Sequence, residues 1–294
     1  MIQRLTRSRG ITVNSRPAYL KRPVRAGDVV AARIVDREKA TLAPAAIPVS
    51  ILLEDPDFIV VDKPAGMLVH PTSSHHTNTL AHGLAHYLDS RGLGARIRPV
   101  HRLDRDTSGA LLVAKSAFAH QRLDRQLREG TLEREYLAVV EGMVRDDEGT
   151  IDLPIGIPRM DPRLREVRAD GRPAVTRYRV VDRLDGATQL RVKLETGRTH
   201  QIRVHMAAIG HPIVGDRSYG AAMSPWISRP ALHAWRLNFR RPRSGEPVTV
   251  VASVPADFES ALQGHDGVGA MPVEGARRAD GNARRPGPPP AEES

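Results

Sequence analysis

The stretch HRLDRDTSG, residues 101–109, crowds ionisable groups into a few positions: His101, Arg102, Asp104, Arg105 and Asp106. An apolar run, GALLVAK (109–115), follows directly, so the stretch reads as a loop entering the core. A carboxylate at such an entry serves as an ion-pair partner, a general base or a nucleophile. A flanking arginine favours its ionised form and aims it. Taken alone, an Asp–Arg cluster more often caps a turn or holds a loop by a salt bridge.

Two further stretches carry chemistry-capable side chains. TGRTHQIRVHM (196–206) holds Arg198, His200, Gln201, Arg203 and His205. Thr199 is suited to cap a helix there, with Arg198 just ahead of it, and Arg203 and His205 fall on different helix faces. EREYLAVVEG (133–142) places Tyr136 in a strand beside charged residues. An aromatic ring can stack on a nucleobase, worth about 1–3 kcal/mol, although a core tyrosine is the commoner fate. His82 and His86 stand four apart on an expected helix, with His75, His76 and His101 near in sequence. No glutamate follows His82 as in the zinc-protease pattern, so these are read as core or surface histidines and no metal site is expected.

The chain of 294 residues has a formal net charge of +10 and a pI near 10.5. That excess points to a polyanionic partner, nucleic acid first. Cysteine is absent, which excludes disulfides, thiolate catalysis and cysteine–zinc sites. No apolar run is long enough to span a membrane, and the start, MIQRLTRSRGITVNSRP, lacks an apolar signal core. A cytoplasmic monomer is the expectation.

The elements that must position these groups follow from pattern. Residues 1–37 read as a small basic unit with short strands at GITVN and within RAGDVVAARIV, and 38–50 as a linker. SILLED and FIVVDK are strands. In TLAHGLAHYL (79–88) Leu80, Leu84 and Leu88 mark one helix face. GALLVAK is a buried strand and AFAHQRLDRQLREG (117–130) a helix with a glycine stop. REYLAVVEG is a strand. AVTRYRVVDRL and TQLRVKLET form a hairpin across a DGA turn. THQIRVHMAAIG (199–210) is a short helix, EPVTVVASVP a late strand and ADFESALQ a closing helix. From 264 to 294 the Pro-, Gly- and Arg-rich composition predicts disorder. Many adjacent strands with few helices argue for an α+β fold on a mixed, mainly antiparallel sheet.

Together the motifs DKPAGMLVHP (62–71), HRLDRDTSG (101–109), REYLAVVEG (134–142), LETGRTHQIRVHMAAIGHPIVGD (194–216) and ALHAWRLNF (231–239) resemble the RluA-type pseudouridine synthases, in the family's order. The resemblance runs from about residue 48 to 260, giving a catalytic domain over 51–263. It implies a sheet split into two halves with the active cleft across its middle, and an RNA uridine isomerase without a cofactor. It implies Asp104 as the catalytic aspartate, acting on the anomeric carbon, on a sugar proton or on the base. Arg198 matches the basic partner of that aspartate, and Tyr136 the aromatic packed against the target base. Ile202 matches an apolar pocket wall, and Arg102 the arginine that enters the space left by the flipped nucleotide. His101, Arg105, Lys63 and Arg203 complete the expected RNA-side set, with Lys63 and Pro64 mostly architectural. Ribosomal RNA is favoured as partner, with transfer RNA the other choice, and a non-catalytic RNA-binding or ribosome-assembly protein on this fold is the alternative reading. Residues 1–37 resemble the later part of a small ribosomal-protein-like RNA-binding module. PRMDPRLREVRADGRPAVTRY (158–178) reads as a basic loop that can grip phosphates.

Overall fold

The computed structural model describes residues 6, 9–19, 21–32, 42–72, 77–93 and 97–265. Residues 38–41 of the linker, His75, His76 and the tail from residue 266 lie outside the described residues.

Near the N-terminus, β1 (Ile11–Val13), β2 (Arg16–Pro17) and β3 (Val30–Ala32) pair antiparallel in the order β2-β1-β3, a small sheet of their own. The main sheet begins with β4 (Ser50–Glu54) and β5 (Phe58–Lys63). Helix α1 (Leu80–Asp89), β6 (Arg98–Pro99) and β7 (Ser108–Ala114) follow, then helix α2 (Ala117–Arg128) and β8 (Glu133–Glu141). Next come β9 (Glu148–Asp152), the short pair β10 (Ile155–Gly156) and β11 (Glu166–Val167), and the hairpin β12 (Val175–Leu184) and β13 (Ala187–Leu194). Helix α3 (Gln201–Ala208), a 3-10 turn at Arg217–Tyr219, β14 (Leu232–Arg240), β15 (Pro247–Val251) and helix α4 (Ala256–Gln263) complete the described elements.

Ten strands form the main sheet, in the order β4-β5-β7-β14-β8-β13-β12-β9, with β15 on β14 and β6 on β7. All its pairings are antiparallel except β7 with β14, which run parallel through only two residue pairs. The expected mixed, mainly antiparallel α+β fold is the one observed. That short parallel contact is where two antiparallel halves meet. The sequence reading took ALHAWRLNF as scaffold without marking a strand; it is β14, the joint.

Apolar runs in β5 and β7 are continuous because both faces of the sheet are covered. Ile59, Val61, Leu111 and Val113 enter one core, while Phe58, Val60, Ala110, Leu112 and Ala114 enter the other. Helix α1 seals the first face with Leu80, Leu84 and Leu88, as the four-residue spacing predicts. Helix α2 seals the second with Ala119 and Leu123, and Ser116 caps it by accepting from the Ala119 N–H at 3.1 Å. Each fully buried leucine or isoleucine contributes about 1.5–3 kcal/mol. Among the described residues no helix is long and apolar enough to cross a membrane.

Gly109 shows how tightly the joint is drawn. Its φ is +108°, and a Cβ there would lie 2.2 Å from the carbonyl oxygen of Ala234 on β14. Any side chain meets both a strained backbone and a fixed backbone oxygen. Gly109→Ala should therefore cost about 3 kcal/mol, read as a lower urea midpoint; wild-type stability would show that the two halves need no such close approach.

Candidate active site

The loop 101–109 is held from below before any ligand arrives. Lys63, at the end of β5, is 0% exposed, and its Nζ donates to the carbonyls of Pro64, Met67 and Arg105, each at 2.8 Å. Three N–H donors meet three carbonyls, which fixes the loop's height over the sheet. Burial pushes the Lys63 ammonium down to about 7, against the pull of Asp106 and Asp104. From the other side, Arg229 donates to the Asp106 carbonyl at 3.2 Å while gripping Asp257 with two bonds of 2.7 Å. The Asp104 carbonyl accepts from the Thr107 N–H at 3.2 Å, closing the turn. Ser108 meets His233 Nδ1 at 2.9 Å where β7 begins. His233 Nε2 also meets the Ala252 carbonyl at 3.5 Å, so both ring nitrogens are engaged within the core.

Asp104 lies on the wall of a cleft of about 440 Å³. The 101–104 loop, β8 and the segment 194–203 line it, with Leu232 of β14 at the joint. Tyr136 and Arg134 stand two apart on β8, so they share a face, and both line the cleft. Tyr136 is buried; burial pushes its phenol up, Arg134 opposes this and the Asp104 charge adds to it. The hydroxyl therefore stays protonated near neutral pH. Arg134 Nη2 donates to the Thr196 carbonyl at 3.2 Å, tying β8 to the opposite wall.

The cation beside Asp104 is Arg203, on the first turn of α3. Its Nη1 stands 3.8 Å from Asp104 Oδ2. Its Nε and Nη2 donate to Asp216 at 2.6 and 2.8 Å, and Asp216 is 1% exposed. The sequence reading gave this place to Arg198; that is corrected. Arg198 lines the cleft, but its Nε donates to the Pro173 carbonyl at 2.9 Å. The reason is helical phase: Arg198 precedes α3 and points back to the strand start, whereas Arg203 lies on the inner face of the helix.

Thr199 does not cap α3. His200 is the N-cap, with a left-handed φ of 58° and no side-chain cap bond. The approach to the helix is ordered instead by Gln201, whose Oε1 accepts from the Arg198 N–H at 2.9 Å and the Thr196 hydroxyl at 2.8 Å. A left-handed non-glycine residue costs about 1–3 kcal/mol and persists only when its surroundings over-determine it.

The remaining expected residues divide. Ile202 is buried on the cleft wall, and Arg102 is exposed on the rim, shared with an adjoining cavity of about 410 Å³. Arg105 is exposed and pairs with Asp106 at 3.1 Å. Lys63 is corrected from an RNA-side residue to an internal brace, since it has no exposed surface and its donors are taken. His101 is buried, and its Nε2 accepts from the Leu112 N–H at 3.2 Å, so it too braces the loop. His82, considered for a metal, meets the Thr79 hydroxyl at 2.7 Å, and among the described residues no cluster of three or more His, Asp or Glu side chains could hold a metal ion. Sequence reasoning missed Asp216, Tyr219 and Arg134. Asp216 ends the apolar run HPIVGD, and an acid closing such a run was the available signal.

A family model described as RNA pseudouridylate synthase matches residues 57–208. An uncharacterized RNA pseudouridine synthase of Bacillus subtilis is 41% identical over 265 residues, covering 89% of this chain and 88% of its own. A ribosomal large subunit pseudouridine synthase D of Xanthomonas campestris is 40% identical over 268 residues, covering 87% and 81%. Among solved structures, human RNA pseudouridylate synthase domain containing 1 superposes with a TM-score of 0.59 at 30% identity, covering 72% of this chain and 85% of that one.

The two braced imidazoles set a pH dependence of stability. Burial pulls His101 down to about 3 and His233 to about 4. In the unfolded chain both take up a proton near pH 6.5. Unfolding therefore binds protons between pH 6.5 and about 4, and stability falls as pH drops through that window. Urea midpoints measured from pH 7 to 4.5 should decline, and His233→Gln should make the decline shallower by about one proton; an unchanged slope would mean that His233 titrates normally in the fold.

Proposed function

The chain belongs to the RNA pseudouridine synthase family and is an isomerase acting on uridines of RNA; from that premise we propose that it modifies large-subunit ribosomal RNA with Asp104 as its catalytic aspartate. The observation that carries the catalytic assignment is the Asp104 carboxylate inside the cleft that Tyr136 also lines, 3.8 Å from the Arg203 guanidinium. The reaction breaks the bond between uracil N1 and C1′ and forms one between C5 and C1′. The proton lost from C5 is balanced by one gained at N1, so no co-reactant is consumed.

An ionised, aimed carboxylate serves each of the three routes open to it, whether attack on C1′, removal of a sugar proton or addition to the base. Arg203 holds the Asp104 carboxylate in place. Tyr136 packs against the base, and Ile202 closes the apolar wall beside it. A base within a stack must leave it before its glycosidic bond is reached, which costs a few kcal/mol. Arg102, exposed at the rim, fills the gap and offsets part of that cost. The segment 158–172 carries Arg159, Arg163, Arg165, Arg168 and Arg172 and grips backbone phosphates. The large-subunit specificity named for the Xanthomonas campestris relative supports ribosomal RNA as the target.

The test maps pseudouridine by chemical tagging and primer extension in protein-free ribosomal and transfer RNA transcripts. The wild type should produce new sites in large-subunit RNA. Asp104→Asn should bind RNA with nearly unchanged affinity and form no product. Arg203→Ala should lose at least about 100-fold in rate, with Arg198→Ala affected less. Sites confined to transfer RNA would move the target, and a turning-over Asp104→Asn would remove the aspartate from its role.

A further inference from the structure

Tyr219, at the end of the 3-10 turn, belongs to no motif assigned above, yet it touches three parts of the site. Its hydroxyl accepts from the Arg165 N–H at 3.0 Å. The same hydroxyl lies 2.7 Å from His200 Nδ1. Its ring supports the Arg203 guanidinium at 4.8 Å and meets the His200 ring edge-on at 5.7 Å. One aromatic side chain thus contacts the cation beside Asp104, the left-handed N-cap of α3 and the arginine-rich segment.

The proton count sets the direction of the central bond. A backbone N–H can only donate, so the Tyr219 oxygen accepts from Arg165. The phenol has one proton, and the imidazole nitrogen facing it is the acceptor within reach. That arrangement leaves His200 Nδ1 unprotonated and puts the neutral ring's proton on Nε2. Burial favours that neutral ring, Asp104 and Asp216 act against it, and Arg203 and Arg165 act with it. The opposite arrangement, with Nδ1–H donating to the phenol oxygen, would leave the phenol proton without a partner in a half-buried place.

We propose that Tyr219 is a positioning residue that couples the docking of the arginine-rich segment to the alignment of Arg203 and Asp104, and that it holds His200 as the Nε2–H tautomer in the cleft. The inference rests on Asp104 working in this cleft. RNA drawn onto residues 158–172 pulls on the Arg165 backbone. Through the Tyr219 hydroxyl that pull reaches His200 and the start of α3, and through the ring it reaches Arg203.

Two variants and one spectrum test this in the full chain. Tyr219→Phe keeps the ring under Arg203 and removes both hydroxyl bonds. On a transcript that the wild type modifies, its single-turnover rate should fall about tenfold, while RNA affinity changes less than about twofold and the thermal midpoint stays close to wild type. Tyr219→Leu, which also removes the ring, should fall about a further tenfold. Long-range nitrogen–proton correlation on histidine-labelled protein, with His200→Gln to assign the signal, should show an unprotonated Nδ1 and a protonated Nε2 in the wild type and a changed pattern in Tyr219→Phe. A wild-type rate for Tyr219→Phe, or a rate loss matched by lost affinity, overturns the coupling. A protonated Nδ1 in the wild-type spectrum overturns the tautomer. The spectrum needs no turnover, so a chain inactive on every transcript would count against the ribosomal target while leaving the tautomer to be judged by itself.

Discussion

Arg203 serves two carboxylates at once. Asp216 takes Nε and Nη2 in a two-bond fork, and the remaining Nη1 faces Asp104. Asp216 is inside the protein, so the fork is desolvated, and removing one partner of such a pair costs about 3–5 kcal/mol. The buried acid therefore anchors the cation, and the anchored cation orients the carboxylate that faces the cleft. A lone arginine on a surface would not hold this geometry, because its side-chain entropy and its hydration compete with the pair.

Everything else in the site serves to bring that pair to the joint of the sheet. The two antiparallel halves meet through the brief parallel contact of β7 and β14, possible only because Gly109 brings no side chain against Ala234. The loop bearing Asp104 enters β7 at that point, and Tyr136 on β8 is paired with Ala234 on the far side of β14. Lys63 and Arg229 fix the loop through carbonyls rather than through the acid, which leaves the Asp104 carboxylate unencumbered.

Part of the basic charge is paired within the fold. In the arginine-rich segment Arg163 pairs with Asp161, and Arg168 with Glu166 and Asp170. These pairs shape the loop and are largely exposed, so each contributes little to stability. Arg159 and Arg172 form no ion pair among the described residues. Arg198 instead ties the approach to α3 to the end of this segment through the Pro173 carbonyl, so the residue expected to touch the aspartate is taken up by a backbone contact.

The sequence by itself determined the local elements and the chemistry. Branched runs became strands, Leu80, Leu84 and Leu88 became a buried helix face, and HRLDRDTSG became a loop carrying its aspartate into a core. Those features depend on neighbours a few positions apart, and periodicity reports them directly. The five motifs in order also carried the family. What only the tertiary structure decided is which arginine meets Asp104. The choice between Arg198 and Arg203 turns on helical phase and on an acid 13 residues beyond Arg203, at Asp216. Likewise Lys63 acts across 42 positions to reach Arg105, and Tyr219 across 54 to reach Arg165. Such contacts join elements that packing alone brings together, and no spacing along the chain encodes them.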